Sequence, residues 1–301
     1  MKRPVVAALA GLLALVGCGS ASSTGSGRPV VVVTTTVLGD VTRHLVGDQA
    51  EVITLMTPGA DPHSTGVSAQ QAQQMRTAEL LVSNGLGLEE GLQQHLDRAV
   101  DDGVARFVAG EHIDVLQYTS EDASGPDPHF WTDPTRMVAV VDALSAELAG
   151  LDGIDTAQLA SVTADYREEL VGLDQQVALR FADIPAARRA LVTNHHVFGY
   201  LAERYDFRLV GAIIPGGATL AAPSAADLQD LAQAIRSAGV PAVFADSSQP
   251  DRLARVVAEQ TGLQIDVVPL FTESLSAPDG EAPTYLEMVR VNADRITTAL
   301  S

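Results

Sequence analysis

The chain has 301 residues, 46% of them apolar, so a large core can be buried and wholesale disorder is excluded. Asp and Glu number 38 against 19 Lys and Arg, a formal net charge of −19. With no basic patch to displace counterions, nucleic acid is not an expected partner. The single Cys excludes an internal disulfide and leaves no thiol for catalysis.

In chain order, Lys2 and Arg3 precede an apolar run from Val5 to Val16. That run is too short to span a bilayer, which needs about 20 residues, so residues 1–17 are expected to be a signal peptide. Leu15-Val16-Gly17-Cys18 is similar to the bacterial lipobox, whose Cys is lipidated and becomes the first mature residue. Ser20 to Gly27 is built of small flexible residues, so residues 18–27 are read as a lipidated Cys18 and its tether. The expected location is extracytoplasmic, at the outer face of the cell membrane, held by that lipid.

Beyond the tether, β-branched runs alternate with helical stretches. Strands are predicted at Val30–Thr35, Glu51–Met56, Leu80–Ser83 and Ala105–Val108, then at Ala190–Thr193, Arg208–Ile213, Ala242–Ala245 and Gln264–Leu270. Most are continuous apolar runs, as parallel strands covered on both faces require. Helices are predicted at Ser68–Glu79, at Leu88–Asp101 with its Glu and Gln on an exposed face, and at Ser224–Ser237. Alternation of this kind implies an α/β protein of two lobes, each a four-stranded parallel sheet flanked by helices. Between the lobes, Leu159, Val162, Tyr166, Leu170, Leu173, Val177 and Phe181 keep a three-to-four-residue period. They predict one long linking helix over Thr156–Asp183, about 40 Å at 1.5 Å per residue, with a break near Gly153 and Gly172 as the alternative. Lobes joined by such a helix should move little relative to each other. The expected division is 28–150 for the first lobe, 151–185 for the linking helix and 186–301 for the second lobe.

Asp-Pro-His occurs twice, at Asp61-Pro62-His63 and Asp127-Pro128-His129. A Pro before each His restricts the backbone and puts the imidazole on a loop. His63 lies beyond the second predicted strand, His129 beyond the fourth, His195 directly after Ala190–Thr193 and Glu273 just after Gln264–Leu270. Ligands of open α/β sheets bind outside the C-terminal strand ends, so these four side chains can share one cleft between the lobes. Three imidazoles and a carboxylate suit Zn²⁺, and nitrogen-rich ligation favours it over Mn²⁺, which stays an alternative. Four protein ligands leave no position for an activated water, so the expectation is binding, not catalysis. Affinity should weaken as pH falls through the imidazole range. His196 adjoins His195 and is an alternative ligand. His44, His95 and His112 are read as surface or core-edge residues. Two other classes stay open: a zinc hydrolase with Glu273 as general base, and a surface adhesin with a structural metal.

The pieces Pro58-Gly59-Ala60-Asp61-Pro62-His63, Asp127-Pro128-His129-Phe130-Trp131-Thr132-Asp133-Pro134, Thr193-Asn194-His195-His196-Val197-Phe198-Gly199-Tyr200-Leu201 with Arg204-Tyr205, and Leu270-Phe271-Thr272-Glu273-Ser274-Leu275 with Thr284-Tyr285-Leu286 occur in this order. In this the chain resembles the zinc/manganese-binding receptors of bacterial ABC importers, the cluster A-I or family 9 solute-binding proteins. The resemblance implies two lobes on a long backbone helix, one ion between them as transported cargo, and partners in an ABC permease and its ATPase. It places ligands at His63, His129, His195 and Glu273. A monomer that is not an enzyme is expected. Three positions depart from the family pattern. Glu273 stands where Asp is usual, and His196 where Asp is frequent. Gln117–Pro126 is short and lacks the His-rich loop of many zinc-specific members, which keeps manganese open.

Overall fold

In the computed structural model the described residues are 27–120 and 122–301, so the signal-peptide and Cys18 expectations lie outside them. Two four-stranded sheets carry the fold. In the first, β1 (Val30–Val33), β2 (Glu51–Thr54), β3 (Leu80–Ser83) and β4 (Ala105–Val108) are ordered β2-β1-β3-β4. In the second, β5 (Ala190–Thr193), β6 (Arg208–Ala212), β7 (Ala242–Asp246) and β8 (Asp266–Leu270) are ordered β6-β5-β7-β8. Every pairing is parallel, and the two orders are the same. The chain therefore reverses direction across each sheet between its two central strands, which opens a crevice at their C-terminal ends.

The predicted strands are all present, some shorter. β1 stops at Val33 because Thr35 does other work: its Oγ1 accepts from Leu38 N and caps α1 (Thr36–Val46). The ladder beside β2 runs on for two bonds, Leu55 N to Val33 O and Met56 N to Thr34 O. α2 (Ala69–Arg76) starts from a Ser68–Gln71 capping box. α3 covers only Gln93–Asp101, and the turn before it buries Glu89 instead of exposing it. α4 (Pro134–Leu148) has Pro134 at its first position and Asp133 as cap, the arrangement in which Pro starts a helix.

The linking helix α5 is continuous over Thr156–Ala182. Asp155 caps it through Ala157 N and Gln158 N, and Gly172 does not break it. Leu159, Tyr166 and Leu170 pack into the first core, and Leu173, Val177 and Phe181 into the second, so one helix is built into both. After it come α6 (Gly199–Tyr205), α7 (Ala225–Ala238), α8 (Arg252–Thr261) and α9 (Tyr285–Leu300). Asp174 of α5 is buried and accepts from Arg204 Nε at 2.8 Å and Tyr205 OH at 3.0 Å, which docks α6 on the linking helix.

Past β8 the chain crosses back. Leu275, Ala282, Tyr285 and Met288 belong to the first core although they follow the second sheet. Leu275 N donates to Thr36 Oγ1 at 3.0 Å, and Gly59 N to Ser274 Oγ at 2.9 Å. Among the described residues no helix is long and apolar enough to cross a membrane.

Candidate metal centre

The four residues singled out above meet. One donor atom from each of His63, His129, His195 and Glu273 lies within 4.8 Å of all the others, and all four side chains are buried. His63 stands in the loop after β2, His129 after β4, His195 after β5 and Glu273 after β8. The Nε2 atoms of His63 and His129 are 3.3 Å apart, and those of His129 and His195 3.4 Å apart. Glu273 Oε1 is 3.5 Å from His129 Nε2 and 2.9 Å from His195 Nε2. A tetrahedral ion with ligands at 2.0–2.1 Å has ligand–ligand edges of about 3.3–3.4 Å. Two of the four separations match that figure, the third is slightly longer and the fourth shorter.

The polar bookkeeping points the same way. Both oxygens of Glu273 are buried without a hydrogen-bond partner among the described residues, although Oε1 lies 2.9 Å from His195 Nε2. A buried, uncompensated carboxylate costs several kcal/mol. A typical net hydrogen bond returns only about 1 kcal/mol. Only a cation, or a proton, offsets that cost. Burial pushes Glu273 up to about 7, against the pull of His129 and His63. Burial likewise pushes His63 down to about 4, His129 down to about 3, and lowers His195. The imidazoles are thus neutral near pH 7, the state in which Nε2 can donate a lone pair to a metal.

The two Asp-Pro-His loops share one local turn. His63 N donates to Asp61 Oδ1 and His129 N to Asp127 Oδ1, each at 2.9 Å. Asp127 Oδ1 also sits 2.7 Å from His129 Nδ1, which keeps the ring proton there and leaves Nε2 free to ligate. Burial raises the Asp127 carboxyl to about 7, opposed by the His129 backbone N–H. Gly199 makes room for it, because a Cβ there would run into Asp127 Oδ2. Tyr200 OH donates to Asp127 O, Asn84 Nδ2 to Pro128 O, and Trp131 Nε1 to Thr272 O beside Glu273. Glu89 in turn accepts from Thr34 Oγ1, Asn84 N and Gly85 N, bracing the C-terminal ends of β1 and β3. Burial raises its carboxyl.

His196 is buried beside the cluster but turned away from it. Its Nε2 lies 2.9 Å from Asp122 Oδ1, on the wall of a cavity of about 980 Å³ between the lobes. His112 stacks on Phe107 and His44 lies tilted against Tyr166, and both are exposed, as is His95. Asn84 and Glu89, which brace this end of the first sheet, are not singled out by the sequence. Their one signal is that they stand just past a buried parallel strand.

Comparisons with known proteins agree with this architecture. The sequence profile described as zinc-uptake complex component A, periplasmic (ZnuA) matches residues 31–299. The zinc-binding protein TroA of Treponema pallidum is 31% identical over 287 residues, 94% of this chain and 92% of the relative. The manganese ABC transporter substrate-binding lipoprotein PsaA of Streptococcus pneumoniae is 26% identical over 302 residues, 98% of this chain and 96% of the relative. The solved structure of periplasmic TroA from T. pallidum superposes with a TM-score of 0.85 at 29% identity, over 91% of this chain and 100% of that one. A manganese-bound periplasmic metal-binding protein from Candidatus Liberibacter asiaticus gives 0.80 at 26% identity, over 91% and 100%. With the profile spanning both lobes, the chain belongs to the periplasmic zinc-uptake component A family of metal-binding receptors.

Proposed function

We propose that this protein is an extracytoplasmic receptor that captures one divalent transition-metal ion, zinc first, and hands it to an ABC permease and its ATPase. His63, His129, His195 and Glu273 are the ligands, and the ion is cargo, not a resident cofactor. The observation that carries this reading is the convergence of four buried donors at tetrahedral spacing with both Glu273 oxygens unpartnered among the described residues. Relatives named as ABC transporter substrate-binding lipoproteins support the permease as partner. We further infer anchoring through a lipid on Cys18, a monomeric state, and the division into 28–150, 151–185 and 186–301. The protein is read as a receptor and not an enzyme, because Glu273 Oε1 stands at ligand spacing from His129 and His195, not at the distance of a base behind a bound water.

Manganese is the second reading. Two unpartnered carboxylate oxygens let Glu273 chelate through both, which gives a more oxygen-rich, five-coordinate site. The test is to prepare residues 28–301, which hold both cores and all four donors, strip the metal, and titrate zinc and manganese in parallel by calorimetry. Tight one-to-one zinc binding with weak manganese binding supports the zinc reading. Comparable or tighter manganese binding reassigns the cargo. Binding of neither refutes the receptor.

A further inference from the structure

The two lobes touch beside the ligands through a segment that the ligand set does not use. Residues 213–224, between β6 and α7 of the second lobe, are irregular and reach the first lobe. Thr219 Oγ1 donates to Asp61 Oδ2 at 2.5 Å. Gln249 Nε2, from the loop after β7, donates to the same oxygen at 2.9 Å. Tyr118 OH donates to Gly217 O at 3.1 Å, and a Cβ on Gly217 would collide with the Tyr118 ring. The first-lobe ends of these contacts are not arbitrary. Asp61 is the residue whose other oxygen holds His63 N, and Tyr118 OH lies 3.4 Å from His129 Nδ1. The segment thus runs along the outside of the site, from the group behind one imidazole to the group behind another.

We propose that residues 213–224 form a clasp across the cleft, with Asp61 as its keeper, and that the clasp sets how long a captured ion stays. This rests on the receptor reading above. All four donors are buried and come from both lobes, so an ion cannot leave unless the lobes part near it. The contacts of Ser274 and Leu275 with Gly59 and Thr36 follow the chain as it crosses back and bind Glu273's own neighbours to the first lobe. Those of Asp61 instead join the first lobe to the loops after β6 and β7, so they must break when those loops draw back from Asp61. Both donors meet a carboxylate oxygen, which makes each bond charge-assisted. Asp61 is a positioning residue in this scheme and does not touch the ion.

The test uses residues 28–301 loaded with one zinc, mixed with excess chelator, and zinc release followed by stopped flow. Thr219→Val with Gln249→Leu removes both donors and leaves all four ligands intact. Release is expected to quicken about tenfold for each bond lost, with little change in the association rate. The visible spectrum of the Co²⁺ complex should match that of the unaltered protein, since the ligand set is the same. Thr219→Ser alone, with Gln249 kept, retains the hydroxyl and should release zinc at the original rate, which separates the clasp from simple packing. Release within about twofold of the unaltered rate in the double variant would overturn the clasp. So would loss of the Co²⁺ spectrum, because the residues would then be shaping the ligand set itself. If the unaltered protein binds no zinc, the receptor reading fails and the clasp with it; if it binds and the variants release normally, the clasp alone fails.

Discussion

Asp61-Pro62-His63 and Asp127-Pro128-His129 are the same tripeptide with the same local turn, yet their carboxylates do different things. Asp127 turns inward: its oxygen serves both the backbone N–H and the Nδ1 of its own His. Asp61 turns outward: one oxygen holds His63 N and the other takes Thr219 and Gln249 from the opposite lobe. His63 Nδ1 accordingly has no hydrogen-bond partner among the described residues. The difference follows from the sheet. His129 lies in the long segment after β4 with Tyr118 and Trp131 against its ring, whereas the short loop after β2 brings Asp61 against the loops after β6 and β7. One carboxylate therefore braces its own imidazole, and the other reaches the loops after β6 and β7.

The largest effect should come from His129→Ala. His129 Nε2 touches the donor atoms of all three other residues, so its loss should weaken zinc binding by more than the roughly 10–100-fold typical of an outer partner. A chelator-competition titration reads this, and unchanged affinity would break the site. Next, Asp127→Asn should cost about 10–100-fold in equilibrium affinity, because a neutral amide oxygen replaces the charged oxygen that accepts the Nδ1 proton and raises the basicity of the ring. Asp61→Asn keeps an acceptor for His63 N and should act chiefly on the dissociation rate. Equal shifts in affinity for the two variants would erase the distinction between the loops.

The pH dependence is smaller and has a definite sign. Glu273 is pushed up to about 7 by burial, whereas His63 and His129 are pushed down to about 4 and about 3, also by burial. Between these values the proton that zinc displaces sits on the carboxyl and not on an imidazole. Affinity should be flat above pH 7 and fall about tenfold per unit below it. Calorimetry in buffers of different ionisation enthalpy should find about one proton released at pH 6 and none at pH 8, and Glu273→Gln should remove the slope. The expectation that the imidazole range governs binding is thereby sharpened: the carboxyl sets it. In the metal-free fold the signs oppose. The raised Glu273 value gives stability present below its ordinary 4.5 and lost as pH rises through about 7. The lowered His63 and His129 values give stability present above 6.5 and lost as pH falls through about 4 and about 3. Smallest of all, His196→Ala should leave zinc affinity within about twofold, since its Nε2 is engaged with Asp122. A large loss would reinstate it as a ligand.

The strands and the linking helix were legible because their signals are local. Val30–Val33 or Ala190–Thr193 announce a strand buried on both faces, and α5 keeps its period across Gly172 because both cores need it. The four candidate donors could be picked out because each closely follows a strand or an Asp-Pro. What supports them was not. α1 begins where Thr35 changes from strand to cap, and α4 begins at a Pro, a residue that also marks loops. Glu89 looks like a surface residue in Gly-Leu-Glu-Glu, and only the fold brings Thr34 and Asn84 to its oxygens. Thr219 and Gln249 lie in unrelated loops, and their pairing with Asp61 exists only once the lobes face each other.

The most direct test of a shared ion is zinc-edge X-ray absorption on the one-to-one complex of residues 28–301. The result expected is three imidazole nitrogens and one carboxylate at about 2.0–2.2 Å, with one nitrogen lost in His63→Ala, His129→Ala or His195→Ala alike. A shell of mainly water and carboxylate oxygens, unchanged by those substitutions, would place the ion elsewhere and contradict the site.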